Sequence, residues 1–284
     1  MARVALTEKI EIIGQFPGSQ PNPNANILYG PDGNIYGIGN PLGSFSSGFV
    51  YRFTPAGAYS KLLDLPSFQT SSHGLPLVAG ADGNLYGTFP KGGTNNNGYV
   101  YQATLTGQYR VLANFPATGL FEPGGLLLAA ADGNVYGTTN SNDIFRYDLS
   151  AKKLELVYHL NLGEGRCYCQ LIEGMDGKLY GVAPTGGYVG AGTVFSLEIG
   201  LPKPPPSVTG LYPSSGAAGK QVILWGNYLL GATAVSFNGT PANNFKSTSV
   251  QSIATKVPTG ATSGPVTITT ANGSYTTTQS FTVQ

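Results

Sequence analysis

The chain has 284 residues, of which 10% are charged, and its formal net charge at pH 7 is +1. Because it has no basic stripe, it lacks the electrostatic attraction that drives nucleic-acid binding, and we expect no nucleic-acid partner. No apolar run approaches the roughly 18 residues of a membrane-spanning helix, so we expect no membrane insertion. The 41 Gly and 20 Pro, with 41% hydrophobic residues, fit turn-rich all-β structure better than disorder.

The dominant pattern is Asp-Gly, one residue, an apolar residue and Tyr-Gly, which occurs four times, at Asp32–Gly37, Asp82–Gly87, Asp132–Gly137 and Asp176–Gly181. The Asp positions lie 50, 50 and 44 residues apart, which is the spacing of a tandem-repeat architecture. A residue found four times at one offset is most simply explained by folding. We call these units repeats 1 to 4.

Each repeat is predicted to hold four strands. The first strand precedes the turn and the second follows it, and Asp-Gly between apolar runs predicts a two-residue type I′ hairpin. A third strand is centred on Val50, Val100, Ile144 and Val194, and a fourth ends near Leu65, Phe115 and Leu160. Repeat 4 has no fourth strand, because its chain runs into the Pro-rich segment 201–206.

The N-terminus supplies the missing strand in this scheme. Residues 9–16 resemble residues 108–115. Phe16 precedes the turn of repeat 1 by nearly the same number of residues as Phe115 precedes Asp132. Four strands per unit, repeated radially, predict a four-bladed β-propeller over residues 1–200, closed by the N-terminal strand. The alternatives are an open array of sheets, or a part-ring completed by another chain.

Residues 207–284 have short strands every 8–12 positions, which predicts an immunoglobulin-like β-sandwich after the 201–206 linker. The segments Pro213–Gly216, Gly226–Tyr228, Phe237–Ala242 and Gly264–Ile268 resemble the IPT/TIG domain. That resemblance implies a spacer or an interaction module. We expect Trp225 to face the core of this domain.

The repeats resemble the bacterial GloVer-type tandem repeats through Asp82–Thr88, Gly92-Gly93 and Gly192–Phe195. The resemblance implies an extracellular or cell-surface protein and carries no known catalytic residues. The N-terminal sequence shows no apolar signal region, so a virion protein assembled inside a host is the alternative location.

In a propeller, the loops between second and third strands (bc loops) share one face with the loops that join a fourth strand to the next repeat (da loops). These loops differ among the four copies, so we expect ligand contacts there. The candidates are aromatic, charged or imidazole side chains suited to sugar stacking or a protein interface: His73, Phe89, Phe121, Glu122, Arg166 and Tyr188.

No catalytic motif is present, and we expect no cofactor and no metal site. The turn aspartates have a folding explanation, and Cys167 and Cys169 are too few for zinc. An i, i+2 disulfide is awkward in a strand, so we expect buried free thiols. We expect His73 and His159 to be ordinary surface or packed residues.

The prediction is therefore a non-enzymatic, surface-displayed binding or adhesion module that recognises a glycan or a partner protein. One alternative is a structural component of a phage virion, such as a tail or capsid decoration protein, in contact with other copies or subunits. A second is a polysaccharide lyase or hydrolase.

Overall fold

The computed structural model describes residues 12–17, 21–41, 48–66, 76–119, 122–167 and 169–284. Within these residues the secondary structure consists of 24 β-strands arranged in six sheets, with no helix. The all-β prediction is confirmed. No helix of the described residues is long and apolar enough to cross a membrane.

The four repeats give four antiparallel sheets, three with four strands and one with three in the described part of the chain. Neighbouring strands pair in chain order within every sheet. The strands are β1 (Pro21–Tyr29), β2 (Ile35–Pro41), β3 (Gly48–Phe53) and β4 (Tyr59–Leu65); β5 (Val78–Ala79), β6 (Leu85–Phe89), β7 (Tyr99–Ala103) and β8 (Tyr109–Asn114); β9 (Leu128–Ala129), β10 (Val135–Thr138), β11 (Asp143–Asp148) and β12 (Lys153–His159); and β13 (Ile172–Glu173), β14 (Leu179–Ala183) and β15 (Thr193–Leu197).

The repeated turn differs from the predicted type I′ hairpin. In repeat 2 the Gly83 amide donates to the Gly80 carbonyl, and Gly83 alone takes a positive φ, of 78°. This is a type I turn followed by a left-handed glycine, the second common way to close a hairpin. The Asp82 carboxylate accepts from the Tyr86 hydroxyl at 2.7 Å and from the Asn84 side-chain amide at 2.7 Å. Repeats 1 and 3 have the same bonds.

The glycine that ends the motif makes room for an aromatic ring. A Cβ added at Gly87 would lie 2.4 Å from the Tyr101 ring of the next strand. The other three repeats show the same close approach, Gly37 to Tyr51, Gly137 to Phe145 and Gly181 to Phe195. The repeated residues are therefore determinants of the fold, as predicted from their periodicity.

Neighbouring repeats pack through apolar side chains. Val50 and Leu65 of repeat 1 share a buried cluster with Leu85 and Tyr101 of repeat 2. Repeats 2 and 3 do the same, and Phe115 packs edge-on against Phe145, with ring centroids 5.1 Å apart. Phe115, directly after strand β8, thus packs on an aromatic ring of the following repeat.

The segments that precede the four repeated turns line one cavity of about 380 Å³. Its lining includes the residue six positions before the turn Asp in every repeat, namely Asn26, Pro76, Leu126 and Gln170. The four repeats therefore present equivalent positions to a common space.

The predicted closing strand is not observed. Residues 12–16 form no strand in this structure, and residues 9–11 lie outside the described residues. Phe16 instead packs against Tyr51, Phe53 and Tyr59 of repeat 1, with centroids 4.9 to 5.5 Å apart. The described part of the chain supplies no fourth strand to β15, so the sheet of repeat 4 ends there.

Cys167 and Cys169 form a disulfide, so the prediction of free thiols is wrong. The two Cα atoms are 5.0 Å apart, closer than the roughly 7 Å that two residues of extended chain span. Neither cysteine lies in a strand. The expectation that an i, i+2 disulfide is awkward assumed that both cysteines lie in a strand, so it does not apply to them.

By its internal contacts the chain divides into two compact units, residues 1–172 with 179–197, and residues 173–178 with 198–284. The second unit contains the turn of repeat 4. The Asn272 side-chain amide donates to the Met175 carbonyl at 3.0 Å and to the Pro204 carbonyl at 3.3 Å. That turn is thus held by residues of the C-terminal region.

The second unit has two further sheets that enclose one buried cluster. The four-stranded sheet has the order β16-β18-β22-β21 and the five-stranded sheet β17-β24-β23-β19-β20. The cluster includes Val222, Leu224, Phe237, Ile253 and Phe281. The strands are β16 (Ser207–Tyr212), β17 (Ser215–Gly216), β18 (Gln221–Asn227), β19 (Ala234–Phe237), β20 (Thr240–Pro241), β21 (Phe245–Ser249), β22 (Ser252–Lys256), β23 (Gly264–Thr270) and β24 (Gly273–Val283).

Candidate functional site

The bc and da loops of repeats 2 to 4 are tied together by backbone hydrogen bonds. The Glu122 amide donates to Asn97 of the repeat 2 bc loop, and its carbonyl accepts from Asn140 of the repeat 3 bc loop. The Leu160 amide donates to the Asn142 carbonyl, and the Gly187 amide to the Gly163 carbonyl. These loops form one continuous edge of the first unit, which we call the loop rim.

Glu122 is the centre of this rim between repeats 2 and 3. Its carboxylate pairs with the Lys91 ammonium and accepts from the Asn140 side-chain amide at 3.0 Å. The bonds from Lys91 and then Asn140 hold the pKa of Glu122 below its usual value. Glu122 takes a left-handed backbone, with φ of 54°, which the flanking loop bonds maintain. Its two carboxylate oxygens are engaged by Lys91 and Asn140, and it ties the two loops together.

Three apolar side chains stand exposed at the tips of the rim between repeats 3 and 4. Tyr188 is fully exposed, Leu162 is 87% exposed and Val189 is 80% exposed. They lie on neighbouring loops, because the Gly187 amide bonds to the Gly163 carbonyl at 2.8 Å. We call Leu162, Tyr188 and Val189 the rim patch. Adjacent exposed apolar side chains on rigid loops are typical of binding surfaces.

Charged groups border the rim patch. Glu164 accepts from the Asn161 amide at 2.8 Å and from the Tyr158 hydroxyl at 2.7 Å, and these bonds lower the pKa of Glu164. The Arg166 side chain is exposed, and its amide donates to the Thr185 hydroxyl at 3.0 Å. The border therefore offers one carboxylate and one guanidinium beside aromatic and aliphatic groups.

A histidine–carboxylate pair lies at the same edge. The His159 Nδ1 atom is 2.6 Å from an Asp143 carboxylate oxygen, and the other oxygen accepts from the Thr139 hydroxyl at 3.1 Å. The Asp143 side chain is 5% exposed, whereas that of His159 is 60% exposed. A buried carboxylate thus orients an imidazole whose second nitrogen is available to solvent or to a ligand.

The residues predicted as the site are only partly brought together. Arg166 and Tyr188 lie on the loop rim between repeats 3 and 4, and Glu122 lies on the rim between repeats 2 and 3. Phe89 is 2% exposed and packs against the Tyr99 and Tyr101 rings, so it belongs to the core and not to a binding surface. His73 and Phe121 lie outside the described residues.

Leu162, Val189 and the pair His159–Asp143 were missed. The signal for the first two was present in the sequence, because Leu162 directly precedes a glycine and Tyr188-Val189 lie between two glycines. An apolar side chain in a Gly-rich turn has no strand face to pack against. The His159–Asp143 contact joins residues 16 apart in two paired strands, and no local pattern encodes it.

The turn aspartates are engaged in the fold. Both oxygens of Asp82 accept hydrogen bonds from Asn84, and one accepts also from Tyr86. Among the residues that the structure describes, no group of three or more His, Cys, Asp or Glu side chains could hold a metal ion. The cysteines are joined to each other.

This architecture defines an all-β tandem-repeat protein with one edge of divergent loops that are hydrogen-bonded to one another. The chain belongs to the Gloeobacter/Verrucomicrobia repeat family, whose model matches residues 22–240 and 78–281. The predicted resemblance of the repeats is thereby confirmed at the level of a tandem-repeat family. No curated protein matches the chain.

Solved structures show distant likeness only. An oligogalacturonate lyase in complex with manganese is 13% identical with a TM-score of 0.44, covering 88% of this chain and 69% of that one. The extracellular domain of a putative one-component system from B. thetaiotaomicron is 16% identical with a TM-score of 0.43, covering 70% and 27%. PorZ, a surface component of the type-IX secretion system of Porphyromonas gingivalis, is 12% identical with a TM-score of 0.41, covering 91% and 38%. This chain thus spans well under half the length of the last two.

Proposed function

We propose that the protein is a non-enzymatic, surface-displayed binding module that recognises a glycan or a partner protein through its loop rim. The observation that carries the proposal is the rim patch. Leu162, Tyr188 and Val189 are each at least 80% exposed, on neighbouring loops that hydrogen bonds hold in place. Burying such side chains against a partner removes apolar surface from water at little cost in loop ordering.

We further propose that the four repeat sheets are blades of a four-bladed β-propeller, closed when residues 9–16 pair with β15. Three features support this arrangement. Equivalent residues of all four repeats line one cavity. Phe16 packs edge-on against Tyr51, as Phe115 packs against Phe145.

The third feature is a close backbone contact. In each of repeats 1 and 2, the segment that precedes the repeat approaches the turn between the third and fourth strands of that repeat. A Cβ at Gly57 would collide with the Ile13 carbonyl oxygen, and one at Gly107 with the Leu62 carbonyl oxygen. Residue 13 therefore lies against repeat 1 as residue 62 lies against repeat 2. Residues 13–16 already occupy the place that the end of a preceding fourth strand would take.

For the C-terminal region we propose an immunoglobulin-like sandwich of the IPT/TIG type that serves as a spacer. Two sheets, antiparallel apart from the parallel β17–β24 pair, enclose one apolar cluster and support it. The spacer role rests on the resemblance of the sequence segments to that domain.

The binding proposal is tested with the full-length protein and an array of immobilised polysaccharides and bacterial surface fractions. Tyr188→Ala and Leu162→Ser are compared with Leu156→Ser, which removes an exposed apolar side chain from strand β12 instead of the rim. We expect the rim variants to raise the dissociation constant about tenfold, which corresponds to 1.4 kcal/mol. Binding that falls equally with Leu156→Ser, or is unaffected by both rim variants, would place the site elsewhere.

One observation favours a second candidate function, a polysaccharide lyase. An exposed, oriented imidazole such as that of His159 can serve as the base that removes the proton α to a uronate carboxylate, with departure of the glycosidic oxygen at the β carbon. The test is incubation with acidic polysaccharides and detection of unsaturated products by ultraviolet absorbance, with His159→Ala as control. We expect no product, and His159-dependent product would overturn the non-enzymatic proposal.

A further inference from the structure

The outer face of the four-stranded sheet of the C-terminal unit carries exposed aromatic side chains. Trp225 was expected in the core, but it is 51% exposed, and Tyr212 is 68% exposed. The reason is the alternation along β18, where Val222 and Leu224 are fully buried and their neighbours point outward. The core is filled without the tryptophan.

The register of the sheet aligns these outward residues in a row. Tyr212 pairs with Ile223, Ile223 pairs with Ala254, and Ala254 pairs with Lys246. Three strand-to-strand spacings make this row about 14 Å long. Trp225 stands beside it, two residues from Ile223 on the same strand and therefore on the same face. We call Tyr212, Ile223, Trp225, Ala254 and Lys246 the platform.

One end of the platform is basic. Lys246 and Lys256 line one surface depression of about 330 Å³, together with side chains that include Gln221 and Asn244. Lys256 pairs with Gln221, directly beside the Ile223–Ala254 pair. Two ammonium groups and two amides thus face a common space at the edge of an aromatic surface.

The charge of this region is one-sided. Residues 207–284 contain Lys220, Lys246 and Lys256 and have no Asp, Glu, Arg or His. Residues 1–206 contain the other 12 basic residues and all 14 acidic ones, which leaves them at −2 against +3 for the C-terminal region. The near-neutral total therefore hides a cationic segment at residues 207–284. The acidic residues of the second unit, Glu173, Asp176 and Glu198, all lie outside that segment.

We propose that the platform binds an acidic polysaccharide, with sugar rings lying on Tyr212 and Trp225 and carboxylates held by Lys246 and Lys256. Flat, exposed aromatic side chains accept the apolar faces of sugar rings. The lysines supply charge complementarity for a uronate. Three lysines are too few for strong nucleic-acid binding, which needs many neutralised phosphates. This site is independent of the loop rim.

The test measures binding of polygalacturonate to the full-length protein, with neutral galactan, poly-glutamate and duplex DNA as comparison probes. We expect polygalacturonate to bind, and Trp225→Ala to weaken it about tenfold. The double variant Lys246→Gln/Lys256→Gln should weaken it by a similar factor at low salt. That difference should vanish in 1 M salt, where the screening length is about 3 Å.

Matched controls separate this site from general effects and from the loop rim. Leu230→Ala removes an apolar side chain that is 46% exposed in the same unit, and Lys203→Gln removes a linker lysine. Both should bind polygalacturonate as the unchanged protein does, and so should Tyr188→Ala. Melting temperatures confirm that each variant is folded, and the lysine pair gives a result independent of Trp225.

Several results would overturn the proposal. These are no binding of polygalacturonate, equal binding of neutral galactan, tighter binding of poly-glutamate or DNA, or retention of affinity in both platform variants. Loss of polygalacturonate binding in Tyr188→Ala alone would assign the ligand to the loop rim and leave the platform without one.

Discussion

Repeats 1 to 3 and repeat 4 have one sequence pattern but two environments. The central residue of the third strand is fully buried in the first three, as Val50, Val100 and Ile144, whereas Val194 of repeat 4 is 78% exposed. In the second strand Ile38, Thr88 and Thr138 are at most 2% exposed, whereas Val182 is 55% exposed. The motif builds the sheet, and a neighbouring sheet is needed to bury its face.

Packing inside the sheet is the same in both environments. Gly181 approaches the Phe195 ring as closely as Gly87 approaches the Tyr101 ring. An apolar face of Ile172, Val182 and Val194 is left exposed on a sheet that is otherwise formed. In the proposed ring this face is an interface between the last and first repeats.

The largest expected effect is at the motif glycine. Gly87→Ala places a Cβ about 2.4 Å from the buried Tyr101 ring, and we expect a loss of about 3 kcal/mol or more. Gly181→Ala should cost clearly less, because Phe195 is half-exposed and has room to move. Chemical denaturation of both variants gives the comparison. Equal losses of stability would mean that the sheet of repeat 4 is as tightly enclosed as the sheet of repeat 2.

The second effect concerns the exposed face directly. Val100→Asp places a charge in a fully buried site and should cost several kcal/mol. If the ring closes, Val194→Asp should also destabilise the protein, by about 2 kcal/mol or more. Thermal melts decide this, and a variant at Val194 that melts as the unchanged protein would show that no neighbour covers the face.

The smallest effect is at the turn aspartate. Asp82→Asn replaces a carboxylate that accepts hydrogen bonds from Asn84 and Tyr86 by a neutral amide, and we expect a loss of about 1 kcal/mol at pH 7. Burial raises the pKa of Asp82, but bonds from Asn84 and Tyr86 outweigh it, and the net pKa is lowered. A carboxyl group whose pKa is lower in the folded state stabilises the protein at pH values above its unfolded-state pKa, about 3.9. This stabilisation disappears as the pH falls through the folded-state pKa. The difference between the two proteins should therefore shrink below about pH 4.

The sequence predicted the strands well, because apolar alternation and Asp-Gly turns are local signals. It missed what depends on neighbours in space. The Asp-Gly pair predicted a type I′ turn, but the carboxylate is fixed in a type I turn by Tyr86, four residues on. Phe89 was assigned to a loop, but it ends β6 and lies under the following strand.

The candidate sites were predictable in part for the same reason. The divergent loops were predicted as the binding surface, and Tyr188 is exposed on one of them. The outward direction of Trp225 follows from its alternation with Val222 and Leu224, once those two are assigned to the core. The contact between His159 and Asp143 depends on strand register, which a single sequence specifies only through the completed fold.

In the proposed ring, the four repeats are closed by the N-terminal segment. Hydrogen exchange of the β15 amides, residues 193–197, tests this closure most directly, with the β7 amides, residues 99–103, as internal reference. If the ring closes in this way, we expect strong protection of β15 in the full-length protein and loss of that protection after removal of residues 1–17. Fast exchange of β15 in the full-length protein, or protection that survives the truncation, would contradict it.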